Sequence, residues 1–323
     1  MFSDKEFLEP FVAWLMFASV LIYFVLGGRD FGSGIWHGLL RKRPECQKLI
    51  ESSIAPIWEA NHVWLILALV LLFTGFPTAF GEVVVNLRFP LFCFLLATVL
   101  RGSTFVFKLY DPATAAWSGF WGSLFAVNSF FSAYFFGVIV AAFIQGDAAS
   151  SINVFTLFSG FLGVSITGFL SSVLHALEAK DVETKRLFSR AAVAAAAVVV
   201  FSALLAGVAA NYRVSWFFNN LLFENVISFF ANSALLFLSI FFLRKKKYKA
   251  ALLFAICFTT GFALLVAIAQ SPYLVYPGIT FSTGAAGPVT LNVLATALTL
   301  ASPFVIFSFY LLYKLFKGHL FRL

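Results

Sequence analysis

Within SSIAPIWEANHVW, residues 52–64, a carboxylate (Glu59), a carboxamide (Asn61) and an imidazole (His62) stand directly ahead of an apolar run from Leu65 to Phe80. Polar groups entering such a run need partners, because a charged side chain at mid-helix in a membrane costs about 2.5 to 3.5 kcal/mol even on the lenient scale. Pro56 suits the first turn of a helix, where its missing N–H and fixed φ are tolerated. A helix begun there projects Glu59 and His62, three residues apart, from one face and sets Trp58, Asn61 and Trp64 on the flanks. Glu59 is the leading candidate for proton transfer. Burial and a nearby arginine pull the proton affinity of such a carboxyl in opposite directions, the balance a proton carrier uses. His62 reads equally as a relay or as a polar side chain satisfied by a neighbour's carbonyl.

The remaining polar residues of the apolar runs carry weaker signals. Asp30, between Arg29 and Phe31, reads as the cap of a turn. Arg88 and Arg101 read as snorkelling anchors or ion-pair partners. Glu59-x-x-His62 together with His175-x-x-Glu178 has the form of a carboxylate di-metal site. Such a site needs further carboxylates from other helices, and none of the other apolar runs supplies one, so no metal is expected. His62 and His175 lie near helix ends, and the four histidines lack the same-helix pairs of a two-haem bundle. No glycine-rich phosphate loop, nucleophile elbow or zinc-ligand spacing occurs. Cys46, Cys93 and Cys257 show neither CxxC nor CxxCH spacing and read as packing residues.

The elements that must position these groups follow from composition. Of 323 residues 61% are hydrophobic and 11% charged, against about 25% charged in soluble domains. The chain is therefore an all-α membrane protein, a single polytopic domain over 1–323. Nine runs approach the length that crosses about 30 Å of hydrocarbon: 10–27, 56–80, 84–107, 116–144, 154–177, 189–210, 226–243, 250–270 and 289–313. The start of the chain is acidic on balance, so the first run is expected to be retained rather than cleaved. Alternating the connections puts eighteen of the 22 Lys and Arg on one side and only Lys5 and Arg213 on the other. By the positive-inside rule the N-terminus lies outside and the C-terminus in the cytoplasm. The net charge of +8 thus reports topology and not nucleic-acid binding. The link 28–53 predicts a tight turn at GGRDFGSG and then a short interfacial helix at IWHGLL. A charged link at 171–190 echoes it, which suggests two four-helix bundles (10–144 and 154–270) plus a peripheral ninth helix (289–313). The uncharged link 270–290 reads as a loop packed on the protein or the headgroups.

Several stretches together resemble subunit II of the cytochrome bd family of quinol oxidases: GGRDFGSG, SSIAPIWEANHVW, FPTAFGE, RGSTFVFK and TLNVLATAL, in family order along nearly the whole length. The resemblance implies a haem-free, non-catalytic subunit of a respiratory-chain oxidoreductase in a prokaryotic cytoplasmic membrane. Its partner would be a haem-bearing subunit I with two b-type haems, haem d and the quinol site. That complex reduces dioxygen to water with cytoplasmic protons. The resemblance also leaves room for a structural quinone and for small accessory subunits.

The acidic residue after the family's tryptophan corresponds to Glu59, where Asp is commoner. Some members carry an Asp at the position of Gly27, so proton entry here would fall to Asp30 or a water chain. The expected path is Glu59, Asn61, His62 and Asp30, with Trp58, Trp64 and Arg101 as structural or partner support. A purely structural scaffold is the rival reading, and a secondary transporter, which would place its polar groups near mid-membrane, a further one.

Overall fold

The computed structural model describes residues 5–56, 58–110, 117–146 and 151–321, with 110, 313 and 317–321 as backbone only. Where a glycine turn was expected, GGRDFGSG runs through the interior of a single 35-residue helix, α1 (Lys5–Leu39). Each glycine costs up to about 1 kcal/mol against alanine in a helix. Two forces favour continuity. A break within hydrocarbon would leave backbone N–H and C=O groups unsatisfied, and bare glycines let neighbouring helices approach closely. A Cβ on Gly32 would overlap the backbone oxygen of Thr167, and one on Gly34 would overlap the hydroxyl of Ser129.

The turn falls instead at 40–43, and the short surface helix is α2 (Pro44–Ile54), which buries Cys46, Ile50, Ser53 and Ile54 along one side. Helix α3 (Trp58–Gly75) begins two residues after Pro56, so this proline lies in the connection and not in the first helical turn. The second apolar run is also divided. Phe76 leaves the helical backbone at φ −137° and ψ 62°, and Pro77 opens α4 (Pro77–Asn86). A proline removes one helical hydrogen bond and pushes the residue before it out of the α region.

There follow α5 (Arg88–Tyr110), α6 (Ser118–Gln145), α7 (Val154–Glu178), α8 (Val182–Arg213), α9 (Ser215–Asn219) and a π-helical turn (Asn220–Glu224). Next come α10 (Val226–Arg244), α11 (Tyr248–Gln270), the two-stranded antiparallel hairpin β1 (Tyr273–Val275) and β2 (Ile279–Thr280), and α12 (Pro288–Phe321). Among the described residues nine helices are long and apolar enough to cross a membrane: α1, α3, α5, α6, α7, α8, α10, α11 and α12. The link 270–290 is thus a small hairpin rather than an irregular loop, packed on α4 and α6.

Side chains cap the starts of two long helices. Asn153 accepts from the backbone N–H of Phe155 and Thr156 at the start of α7, while the Thr156 hydroxyl accepts from the Asn153 N–H. Asp181 accepts from the Thr184 N–H at 2.7 Å at the start of α8. Such caps are worth about 1 kcal/mol each.

Helix α1 is the hub, packed against α3, α6, α7 and α12. On one side α5 pairs with α6; on the other α7 pairs with α8 and α11, and α10 with α11. Helix α12 touches α1 and α3 and leaves most of its surface outward.

Candidate functional site

Of the residues singled out by chemistry, Asp30, Asn61, His62 and Arg101 lie where α1, α3 and α5 adjoin, and Glu59 does not. Asp30 does not cap a turn, because it lies mid-helix and is only 2% exposed. Arg29 donates from Nε and Nη2 to its Oδ1 at 3.2 and 3.1 Å, and Asn61 donates from Nδ2 to its Oδ2 at 2.6 Å. The carboxylate therefore ties α1 to α3. A second Asn61 contact, to the Leu26 carbonyl at 3.5 Å, fixes which way the amide points.

Arg101 comes from α5 and is fully enclosed, not snorkelling. Its guanidinium lies 5.2 Å from the ring centroid of Phe31 and 5.5 Å from that of Phe125, and its charge acts on Asp30 and Tyr23. Aromatic faces offset part of the desolvation of such a cation. Arg88, by contrast, is exposed at the first residue of α5.

His62 is half-buried, with Tyr23 at 5.8 Å and Trp58 at 6.2 Å between ring centroids. It borders an open groove between α3 and α5 of about 460 Å³, lined also by Trp58, Thr98, Gly102, Ser103 and Phe107. Trp58 packs on Phe105, and Trp64 reaches α12 through Phe309 at 5.2 Å. Glu59 faces away from the cluster. It is exposed at the head of an outward stripe that continues through Val63, Ile66, Val70 and Phe73. The helix explains the separation: at 3.6 residues per turn Glu59 lies about 60° from His62 but about 160° from Asn61.

A second polar cluster carries no motif. At the end of α1, His37 Nε2 lies 3.1 Å from Glu51 Oε1 of α2, and Lys108 of α5 lies 2.7 Å from the same oxygen. Burial favours the protonated form of Glu51, but hydrogen bonds from His37 and Lys108, with their charges, outweigh it and hold the carboxyl below its usual range. Sequence reading counts Lys108 as a topological charge only. The available signal is Glu51 itself, an acidic residue near the buried side of an amphipathic helix. Behind α1, fully buried His175 bonds Ser33 through Nε2 at 2.9 Å and has Glu178 at 3.8 Å from Nδ1. His37 and His175 are thus committed to protein partners and His62 to a groove edge. Among the described residues no three His, Cys, Asp or Glu side chains gather as metal ligands.

Among the described residues, nine membrane-length helices and a buried carboxylate–guanidinium pair on α1 define a multi-pass α-helical membrane protein. The chain matches the family described as cytochrome bd terminal oxidase subunit II over residues 8–316, and it belongs to that family. It is 29% identical to the cytochrome bd ubiquinol oxidase subunit 2 of Bacillus subtilis (strain 168) over 46% of this chain and 47% of that protein. It is 26% identical to the cytochrome bd-I ubiquinol oxidase subunit 2 of Escherichia coli (strain K12) over 65% of this chain and 59% of that one. These matches span about half to three fifths of the relatives' length. In fold the chain is similar to a chain of the bd oxidase from Geobacillus thermodenitrificans, with a TM-score of 0.82 and 19% identity over 96% of this chain and 98% of that one.

Proposed function

We propose that the protein is the haem-free subunit II of a quinol:dioxygen oxidoreductase in a prokaryotic cytoplasmic membrane. It stabilises a haem-bearing subunit I and carries part of a proton path through Glu59, Asn61, His62 and Asp30. The observation that supports it most is the 2.6 Å bond between Asn61 and Asp30, which joins the two motifs of the resemblance in one buried group. Relatives named as ubiquinol oxidase subunits support quinol as the electron donor of the whole complex. The two b-type haems and haem d sit on the partner in this reading, with a quinone bound structurally at most by this chain. The charge bias of the links supports an outer N-terminus and a cytoplasmic C-terminus. The two four-helix repeats with a ninth helix belong to the same reading.

Glu59 takes its role from the assembled complex. An exposed carboxylate leading an apolar stripe is costly against lipid and suits contact with a polar or basic group of subunit I. The test is Glu59→Gln in the co-expressed complex: turnover slows severalfold while haem content stays unchanged. Unchanged turnover would remove the proton role from Glu59.

A scaffold role without proton transfer has its own support. Both oxygens of Asp30 are engaged, so the group also serves as a clamp between α1 and α3. Asp30→Asn separates the two readings, because the amide keeps the size and part of the hydrogen bonding but cannot carry a proton as a carboxyl does. A scaffold retains turnover in that variant. Substrate flux into liposomes holding this chain alone would instead favour a transporter.

A further inference from the structure

Helix α2 is set apart from the spanning helices by the turn at 40–43 before it and by residues 55–56, which lie outside any helix, after it. It can therefore move as a unit without breaking a helical hydrogen bond of α1 or α3. Its apolar edge, Cys46, Ile50 and Ile54, joins the core cluster that includes Phe105, Phe125, Phe169 and Phe188. Its polar ties are few. Gln47 reaches the His37 carbonyl only at 3.5 Å, and Arg43 pairs with Glu183 of α8 between exposed side chains, a kind of pair that contributes little. The remaining tie is Glu51 Oε1, which lies 2.7 Å from Lys108 and 3.1 Å from His37.

Two effects compete in holding α2. An amphipathic helix that leaves the bundle beside a membrane can lay its apolar edge in the interface, so hydrophobic burial separates the docked from the undocked state only weakly. Charge separates them strongly. Without Glu51, Lys108 and His37 face each other at 2.6 Å with side chains only 9% and 1% exposed. Unpaired charge at that depth is costly. The other groups around α2 offer no substitute anion. From α6 it is Gly122 that meets His37 and Lys108. At the end of α7, His175 and Glu178 face one another, and His175 bonds Ser33 of α1. Asp181 and Glu45 act on Cys46 at the opposite end of α2, and Glu183 is taken by Arg43.

We propose that α2 is a strap that docks and undocks as a unit, latched by the single oxygen Glu51 Oε1, and that cancelling the Glu51 charge releases it. Acid is one such cancellation. The folded carboxyl titrates below the usual carboxylate range, so the latch is closed above that range and opens as pH falls through the lowered value. Release uncovers the Cys46 thiol, which is 2% exposed in the docked state.

The test follows Cys46 in the assembled complex, with Cys93 and Cys257 replaced by serine and this chain separated from its partners after labelling. Dithiodipyridine, which reacts with thiols in acid as well as at neutral pH, is the probe, and each rate is referred to the denatured chain at the same pH. At neutral pH, Glu51→Gln should label at least tenfold faster than the wild type. As pH falls, the wild-type rate should rise to that of the variant, whose own rate stays flat. Equal slow labelling at neutral pH would show that the apolar edge alone seats α2, and the latch falls. Ser165→Cys, buried between α7 and α8 and placed in a background that also lacks Cys46, should stay protected when Glu51 is replaced. Its labelling along with Cys46 would mean general loosening and would overturn the strap as a separate unit. If Glu51→Gln does not assemble, the wild-type acid titration decides: Cys46 must become reactive before Ser165→Cys does, and simultaneous exposure overturns the proposal.

Discussion

Asp30 is the residue on which the buried polar groups depend, since it pairs with Arg29, receives Asn61 and acts on Arg101 at a distance. Removing one partner of a buried, hydrogen-bonded pair costs about 3 to 5 kcal/mol, because the other charge is left uncompensated. Asp30→Ala should therefore lower the unfolding temperature of the complex by several degrees or abolish its assembly. Glu59→Ala, outside this buried group, should lower it by much less. Equal losses in a thermal-shift assay would show that the outward face of α3 matters as much to stability as its core face.

Glu51 allows a pH test at the same scale. Its folded carboxyl titrates below the ordinary value of 4.5, so its contribution to stability is complete above that value and is lost as pH falls through the lowered folded value. Acid should then destabilise the wild type more steeply than Glu51→Gln, in which His37 and Lys108 face an uncharged amide. Parallel acid profiles of the two proteins would remove Glu51 from that role.

At the scale of elements, α1 depends on small residues along the sides it turns to α6 and α7. Gly32 has a backbone oxygen where a methyl would go, and backbone cannot rotate aside; Gly28 meets side chains alone, the Thr167 methyl at 3.0 Å and the Phe24 ring at 3.8 Å. Gly32→Ala should reduce the yield of monodisperse complex severalfold by size-exclusion chromatography, while Gly28→Ala should be tolerated. A tolerated Gly32→Ala would mean that α1 and α7 can separate without loss. The α1–α7 contact is also tied by polar bonds, from Trp36 Nε1 to the Gly168 carbonyl at 2.8 Å and between Ser33 and His175. The break between α3 and α4 is a different device, a proline that ends a span and leaves ten residues as a separate helix.

For the whole molecule, two measurements bear on assembly and orientation. Dithionite-reduced minus oxidised spectra should show haem bands in the co-purified complex and none on this chain once separated; bands that stay with the chain would return His62 to the list of ligands. Orientation is read with a membrane-impermeant thiol reagent in a background lacking Cys46, Cys93 and Cys257. Ser282→Cys, exposed in the link after α11, should label in intact cells, and Lys246→Cys, in the basic link after α10, only after permeabilisation. The opposite pattern would invert the topology.

Hydropathy determined the nine spans, because crossing hydrocarbon imposes length and apolarity on every spanning segment, but not all their ends: the run 10–27 belongs to a helix over 5–39, and the run 56–80 is divided at Phe76. Residue types pointed to SSIAPIWEANHVW as the polar centre, while GGRDFGSG read as a glycine turn capped by Asp30. What no one-dimensional pattern carries is which helix faces which. That decided that the glycines of α1 stay helical beneath Thr167 and Ser129 and that Arg101 is enclosed by Phe31 and Phe125. It also decided that Asn61, and not Glu59, reaches Asp30, and that Glu51, His37 and Lys108 meet at one oxygen. The physical reason is that composition reports the cost of placing a group in a membrane, whereas only packing across distant segments decides which partner offsets that cost.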